Sequence, residues 1–337
     1  MTACDGIQPT LRGDRVTIRA GNFNAYKLRL DARGTTEWND RVTAVQELAP
    51  DLLGLQEVVV DEAATPPDQW HAVAARTITA FAEDCGLTAS VRATPGRPYG
   101  VTMAANVHRA WYTAVLWSPD AASVVPGTYR PIGAPDFWHG LTTVAFDIGA
   151  AEPLTMVAYH GDPFRPNWRA EEARRIKGTL RRSGGVIPSL VVGDFNALSA
   201  AQVPGPDGTL RYYDHEVYAE QDHDDLEYQV QEGTIGGEQL ADRRQTELLL
   251  RRGYMVDAAA HLGVPWHATV GHWKDGQGDP DPFGERRIDL VLASRSVAPA
   301  LVAYGVQDSA AALAGSDHLI PWVDIDPATI EADEAGR

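Results

Sequence analysis

The stretch "LVVGDFNALSA" (190–200) decides how this chain is read. Alternate residues of a strand share a face. An apolar strand that runs into Asp194 and Asn196 therefore sets a carboxylate and an amide side by side at its tip, unless the pair belongs to a turn. Working outward, the same device recurs at the ends of other apolar runs. GNFN (21–24) supplies Asn22 and Asn24, LQEV supplies Glu57, and YHGD (159–162) follows the apolar MVAY with His160. RRIDLVLAS (286–294) carries Asp289, and Ser316-Asp317-His318 precedes the apolar LIPW. Each has an ordinary explanation taken alone: a turn-forming Asn, a surface Glu or an Arg partner, a structural His, a salt-bridged Asp, a loop Asp-His. Together they place oxygen donors and imidazoles at successive strand ends, a set suited to a hard cation and a phosphate.

The segments between these motifs alternate strands with helices. VTIRAGNF (16–23) reads as a first strand and DLLGLQEV (51–58) as a buried second one. Between them, Trp38, Val42, Val45 and Leu48 form the stripe of an amphipathic helix over 35–50, with Thr35 or Thr36 as N-cap and Pro50 as its stop. A second helix is expected over 70–85, an Arg-rich one over 167–182 and another near 242–252. Runs at 113–118, 141–148 and 154–160 are separated by Pro and Gly turn signals of the kind that join antiparallel strands. Strands at 301–306 and around 319–325 follow 286–294. With no break in composition, the pattern predicts one α+β domain over 14–325, two sheets covered by helices. It is flanked by an N-terminal extension (1–13) and an acidic tail (326–337) expected to fray, and interrupted by a long polar insertion at about 200–240.

The 337 residues, 44% hydrophobic and 22% charged, suit a globular protein with a sizeable core. The net charge of −17 argues against a broad electrostatic grip on nucleic acid or anionic membrane. Cys4 and Cys85 are too few for a disulfide framework and read as free thiols. No leader pattern and no apolar run long enough for a membrane span is read, so a cytoplasmic protein is expected. Nothing in the sequence sets an oligomeric state.

In their order, GNFN, LQEV, YHGD, GDFNA, RRIDLVLAS and GSDH resemble the endonuclease/exonuclease/phosphatase superfamily, over roughly residues 14 to 325. The resemblance implies a four-layer α/β/β/α sandwich with two packed mixed sheets, and Mg²⁺- or Mn²⁺-dependent hydrolysis of a phosphoester. Carried over by position, Asn22, Glu57 and Asp317 would form the metal site. Asp194 would orient or deprotonate the attacking water and Asn196 would hold a phosphate oxygen. His160 would contact the phosphate or assist the leaving group, and His318, oriented by Asp289, would stabilise the transition state as imidazolium. Oxygen donors without a Cys or His cluster favour Mg²⁺ or Mn²⁺ over Zn²⁺ on chemical grounds as well.

Two features bear on the substrate. Asn24 stands where abasic-site endonucleases carry an acidic residue, which weakens a repair-enzyme reading. The insertion RYYDHEVYAEQDHDDLEYQVQEG (211–233) is acidic and aromatic; it either lines the cleft and repels a long polyanion or is a solvated loop. Arg165 and Arg169 are the basic residues best placed to reach a substrate phosphate, whereas the other cations of 167–182 do not share one helical face. Tyr129, Phe137 and Trp138 are read as a packed aromatic loop, with stacking on a base or sugar as the alternative. A nuclease or phosphodiesterase is the first expectation and a phosphatase for a small metabolite or lipid headgroup the second. A degenerate binding protein is disfavoured by the intact motif set.

Overall fold

The computed structural model describes residues 17–106, 108–183, 185–231, 237–274 and 280–331. Cys4, the extension 1–13 and the tail beyond 331 lie outside them. In chain order the principal elements begin with β1 (Ile18–Leu28), α1 (Thr36–Leu48), β2 (Leu52–Val59), α2 (Trp70–Asp84), β3 (Trp111–Trp117) and β4 (Leu141–Asp147). They continue with β5 (Leu154–His160), α3 (Pro166–Leu180), β6 (Ser189–Asp194), α4 (Arg244–Leu250) and β7 (Met255–Asp257). Last come α5 (Ala258–Leu262), β8 (Asp289–Ser294), β9 (Leu301–Gln307), α6 (Ala310–Gly315) and β10 (Ile320–Ile325). Thr35 caps α1 by accepting the Trp38 N–H, and the helix ends at Ala49 in the left-handed region just before Pro50.

These strands form two mixed sheets. The first runs β9-β10-β1-β2-β3 and the second β7-β8-β6-β5-β4, with short strands added at one edge of each. Each sheet has one parallel pair at its heart, β1 with β2 and β5 with β6, and antiparallel neighbours elsewhere. Leu52, Val144, Met156, Leu190, Val192 and Val291 fill the space between the sheets. Outside them, α1 and α2 cover the first sheet through Trp38, Val45, Ile78 and Phe81. On the other side α3 and α4 cover the second through Ala173, Ile176, Leu180 and Leu249. The architecture is the expected four-layer sandwich.

Two local readings need correction. The run at 113–118 is not hairpin partner to 141–148: β3 pairs with β2 in the first sheet, and the chain then crosses to the second sheet, where β4 and β5 pair. Pro and Gly mark where a chain turns, not which sheet it turns into. The fraying expected after Asp326 does not begin there, because Asp326 caps the turn Pro327–Thr329 and Ile330 is buried in the inter-sheet core. Among the described residues, no helix is long and apolar enough to cross a membrane.

The glycine of GDFN is structural. A Cβ on Gly193 would sit 2.0 Å from the Tyr159 carbonyl oxygen on the neighbouring parallel strand. Gly193→Ala is expected to lower stability by roughly 1–3 kcal/mol through overpacking. Gly178→Ala, in exposed helix with open space at its Cβ, is expected to raise it by about 0.5–1 kcal/mol. Guanidinium unfolding midpoints of the two variants check both signs.

Candidate active site at the mouth between the sheets

Side-chain alternation explains why the polar residues converge. On β6, Leu190 and Val192 face the inter-sheet core, so Asp194 does too; β5 repeats this with Met156, Ala158 and His160, and β8 with Ala293, Val291 and Asp289. On β1, Ala20 faces that core while Phe23 and Ala25 face the helices, which turns Asn22 and Asn24 inward. Register completes the arrangement: Asp194 lies opposite His160 on one side and Asp289 on the other.

Across the gap, the Asn24 amide nitrogen donates to Asp194 Oδ2 at 3.1 Å and to Glu57 Oε1 at 3.3 Å, and lies 3.4 Å from His318 Nε2. The Asn22 amide donates to Asp289 Oδ1 at 3.2 Å and its own oxygen accepts from Gln56 Nε2 at 2.8 Å. His318 Nδ1 is 2.7 Å from Asp289 Oδ2, which leaves Nε2 facing Asp194, 3.9 Å away. His160 Nε2 approaches the same Asp194 oxygen at 3.5 Å. Thr269 Oγ1 accepts the Asp289 N–H, and Ser316 Oγ bonds both Asn24 O and the His318 N–H.

Two site residues reach their places through unusual backbone. Glu57 has φ 57° where the β1–β2 and β2–β3 registers shift, and Asn196 has φ 49° just beyond β6. Such bulges re-aim a side chain at the cost of local strain. Asn196 is therefore not a same-face strand neighbour of Asp194. The strand ends at Asp194, whose Oδ1 accepts the Asn196 N–H at 2.8 Å, and the Asn196 amide donates to Gly161 O at 3.1 Å. The pair is an Asx turn that the strand delivers to the mouth.

Electrostatics divide the two histidines. Burial opposes charge on His318, but Asp289, Asp317 and Asp194 outweigh it and hold the imidazole well above its ordinary value. Burial, reinforced by His318, pulls His160 down to about 3, so it is neutral near pH 7. Burial also raises the Asp194 carboxyl, against the pull of His318. Glu57 is pushed up to about 7 by desolvation and by Asp317. No Lys or Arg side chain among the described residues pairs with it, and its contacts are the Asn24 amide and the Lys27 N–H.

That isolated carboxylate is the observation that fits a cation. No group of three or more His, Cys, Asp and Glu side chains among the described residues is arranged to hold a metal unaided. Mg²⁺, however, is commonly bound through one or two carboxylates and retained waters. Glu57 and Asp317, near enough that Asp317 helps push the Glu57 carboxyl up, would be such a pair of carboxylates, although the Asn24 amide turns its nitrogen rather than its oxygen to Glu57.

Arg165 and Arg169 are not brought to the cluster as open cations. Arg169 is 1% exposed and donates to Asp162 O and Tyr228 O. Arg165 pairs with Asp162 and lies between the Trp138 and Trp168 rings. Glu172 on α3 is buried and accepts from Tyr159 Oη and the Trp138 N–H. Phe137 and Tyr129 are buried as a packed loop requires, whereas Trp138 is half-buried. The insertion does line the cleft: Asp225, Tyr228 and Gln229 share a cavity with Asn196, Asp317 and His318. Sequence reasoning missed His139, whose ring stacks on His160 with centroids 3.9 Å apart and whose Nδ1 lies 2.9 Å from the Asn106 amide. It belongs to no motif, and only the folded loop brings it there.

Carboxylates, amides and imidazoles gather at one end of a four-layer sandwich, the architecture of a class of hydrolases acting on phosphoester bonds. The chain belongs to the Endonuclease/Exonuclease/phosphatase family, whose model matches residues 21–318. No curated protein matches it in sequence. Among solved structures it is similar to a family member from Bacteroides thetaiotaomicron, with TM-score 0.53 and 14% identity over 92% of this chain and 95% of that one. A mannosyl-6-phosphatase from the same organism gives 0.52 and 14%, over 91% and 98% of the two chains. An AP endonuclease from Archaeoglobus fulgidus gives 0.51 and 16%, over 92% and 99%.

The ion pair makes a spectroscopic prediction. In metal-free protein, His318 is expected to titrate well above an ordinary imidazole in ¹⁵N NMR, and Asp289→Asn to bring it down by about tenfold or more in proton affinity. A His318 that titrates normally in wild type, or is unmoved by the substitution, contradicts the assignment. Because the folded value is raised, the stabilisation from the His318 charge is complete below about pH 6.5, for as long as Asp289 stays ionised, and fades as pH climbs through the raised value.

Proposed function

We propose that the chain is a Mg²⁺- or Mn²⁺-dependent phosphoesterase, and the observation that carries the reading is the Asp289–His318 pair aimed at Asp194 beside Glu57. Hydrolysis of a phosphoester needs a water made nucleophilic, compensation of charge on the non-bridging oxygens, and help for the leaving oxygen. Asp194, ionised beside the His318 charge, orients the water and accepts its proton. His318, with Nδ1–H given to Asp289, turns a second N–H toward the phosphate oxygens. Asn196 keeps one amide proton for the phosphate after giving the other to Gly161 O. His160, neutral and held against His139, serves as a hydrogen-bond donor near the leaving oxygen rather than as an imidazolium. Glu57 and Asp317, with Asn22 or Asn24, would hold the cation, which offsets phosphate charge when bound.

The neighbouring structures span both substrate readings, since one is named a phosphatase of a mannosyl phosphate and another an AP endonuclease. The cleft favours the small phosphoester. Arg165 and Arg169 are engaged within the protein, and the insertion adds Asp225 to the cavity wall where a nucleic-acid strand would need cations. A nuclease or phosphodiesterase acting on nucleic acid is the second reading, supported by the family's membership.

Hydrolysis of bis(p-nitrophenyl) phosphate tests the first claim. Activity is expected with Mg²⁺ or Mn²⁺, to vanish with EDTA, and to fall at least about 10²-fold in Asp194→Ala and His318→Ala. Glu57→Gln is expected to raise the Mg²⁺ concentration for half-maximal activity about tenfold or more. A folded wild type inert with either metal on every ester tried would overturn the reading.

A further inference from the structure

We infer that the cavity beside the site binds the organic half of the substrate as one uncharged, polyhydroxylated ring, making the substrate a sugar phosphate rather than a nucleic-acid strand. The inference rests on the phosphoesterase reading and goes on to say what carries the phosphate.

The cavity holds about 760 Å³, within the range of small-molecule sites, and has His318, Asp317 and Asn196 at its catalytic end. Two edge-to-face aromatic pairs line it. Tyr26 meets Trp273 with centroids 5.1 Å apart at 75°, and Trp273 is fixed by donating its indole N–H to Leu313 O at 2.7 Å. Phe164 meets Tyr228 at 5.5 Å and 82°, and Phe164 is 53% exposed, a large apolar face left uncovered. Phe283 adds a further ring to the lining, with Arg286 stacked on it and tied to Asp281. Rings fixed by one another and by the backbone are platforms for the flat face of a ligand ring, with little ordering left to do on binding.

The polar groups narrow the ligand further. Outside the proposed cation site, Asp225 contributes carboxylate oxygens to the lining, and such oxygens only accept hydrogen bonds. Hydroxyl groups are the neutral donors that match them. The lining carries Asp225, Asp281 and Asp317 against Lys274 and Arg286, and Arg286 is paired with Asp281, so its balance beyond the scissile group is acidic and does not favour a second phosphate. Tyr228 and Asp225 both come from the insertion, so this wall belongs to the segment inserted between the catalytic strand β6 and α4.

Binding separates this inference from the activity. By titration calorimetry with EDTA and again with Mg²⁺, hexose phosphates are expected to bind more tightly than inorganic phosphate, a nucleoside monophosphate or a short oligothymidylate. Tyr228→Ala and Trp273→Ala are expected to weaken hexose phosphate binding about tenfold, Tyr228→Phe to keep most of it, and all three to bind inorganic phosphate like wild type, which also certifies their fold. Hexose phosphates that bind no better than phosphate, a nucleotide or oligonucleotide that binds tighter, or alanine variants that bind hexose phosphates like wild type would overturn the inference. If the binding pattern holds but no ester is hydrolysed with any metal, the phosphoesterase reading fails while the ring site stands.

Discussion

The Asn24 amide is the contact on which the rest of the site depends. It reaches from the first sheet to Asp194 of the second and also touches Glu57 of its own sheet. Asn22 makes the companion bridge to Asp289. These bonds form only where the sheets come very close, and the sequence provides for that approach with small residues. A Cβ on Gly54 would lie 2.4 Å from Val192 Cγ2 on the facing sheet. Close packing between the sheets thus fixes the spacing of carboxylates that would otherwise repel one another. Donors placed between them hold the set together, because a buried polar group left unpaired is costly.

The strain at the rim follows from the same constraint. Regular strands would send Glu57 to the helix side, since its neighbour Gln56 already faces Asn22. The left-handed backbone at Glu57 places its carboxylate beside the amide instead, where the Lys27 N–H also binds it. Asn196 is turned likewise, and Asp194 offsets part of that cost by accepting its N–H. Behind the site, buried Arg287 links Asp257 at the start of α5 to Asp214 of the insertion, two residues before Asp289. The wall of the cleft and the orienting carboxylate of His318 are therefore anchored through one guanidinium.

What the sequence reveals and hides divides along this line. The apolar runs and the α1 stripe are local periodicities, so β2, β5 and α1 are legible with their ends nearly in place, whereas β1 runs on to Leu28, well past its expected end at 23, and β6 stops at Asp194, short of Asn196. Asp194, His160, Asp289 and His318 are legible as a group because each terminates or adjoins such a run. The nearer partner of Glu57, Asn24 rather than Asn22, depends on a bulge that no periodicity encodes. Arg169 looks available on a helical wheel, yet its guanidinium satisfies the carbonyl of Asp162 just before the helix and that of Tyr228 on the distant insertion. His139 and the route of the chain from β3 to β4 are tertiary facts of the same kind.

The net charge of −17 then has a local meaning. Long-range repulsion would exclude a polyanion, but a single phosphate responds chiefly to the few groups within reach, since charges farther than about 8–10 Å are screened at ordinary salt. In the proposed site those groups are the His318 imidazolium, the Asn196 amide and the cation that Glu57 and Asp317 would hold. The acidic wall begins beyond them, on the insertion. On the proposed reading, an acidic protein holds one anionic group at the mouth between its sheets while turning away a chain of them.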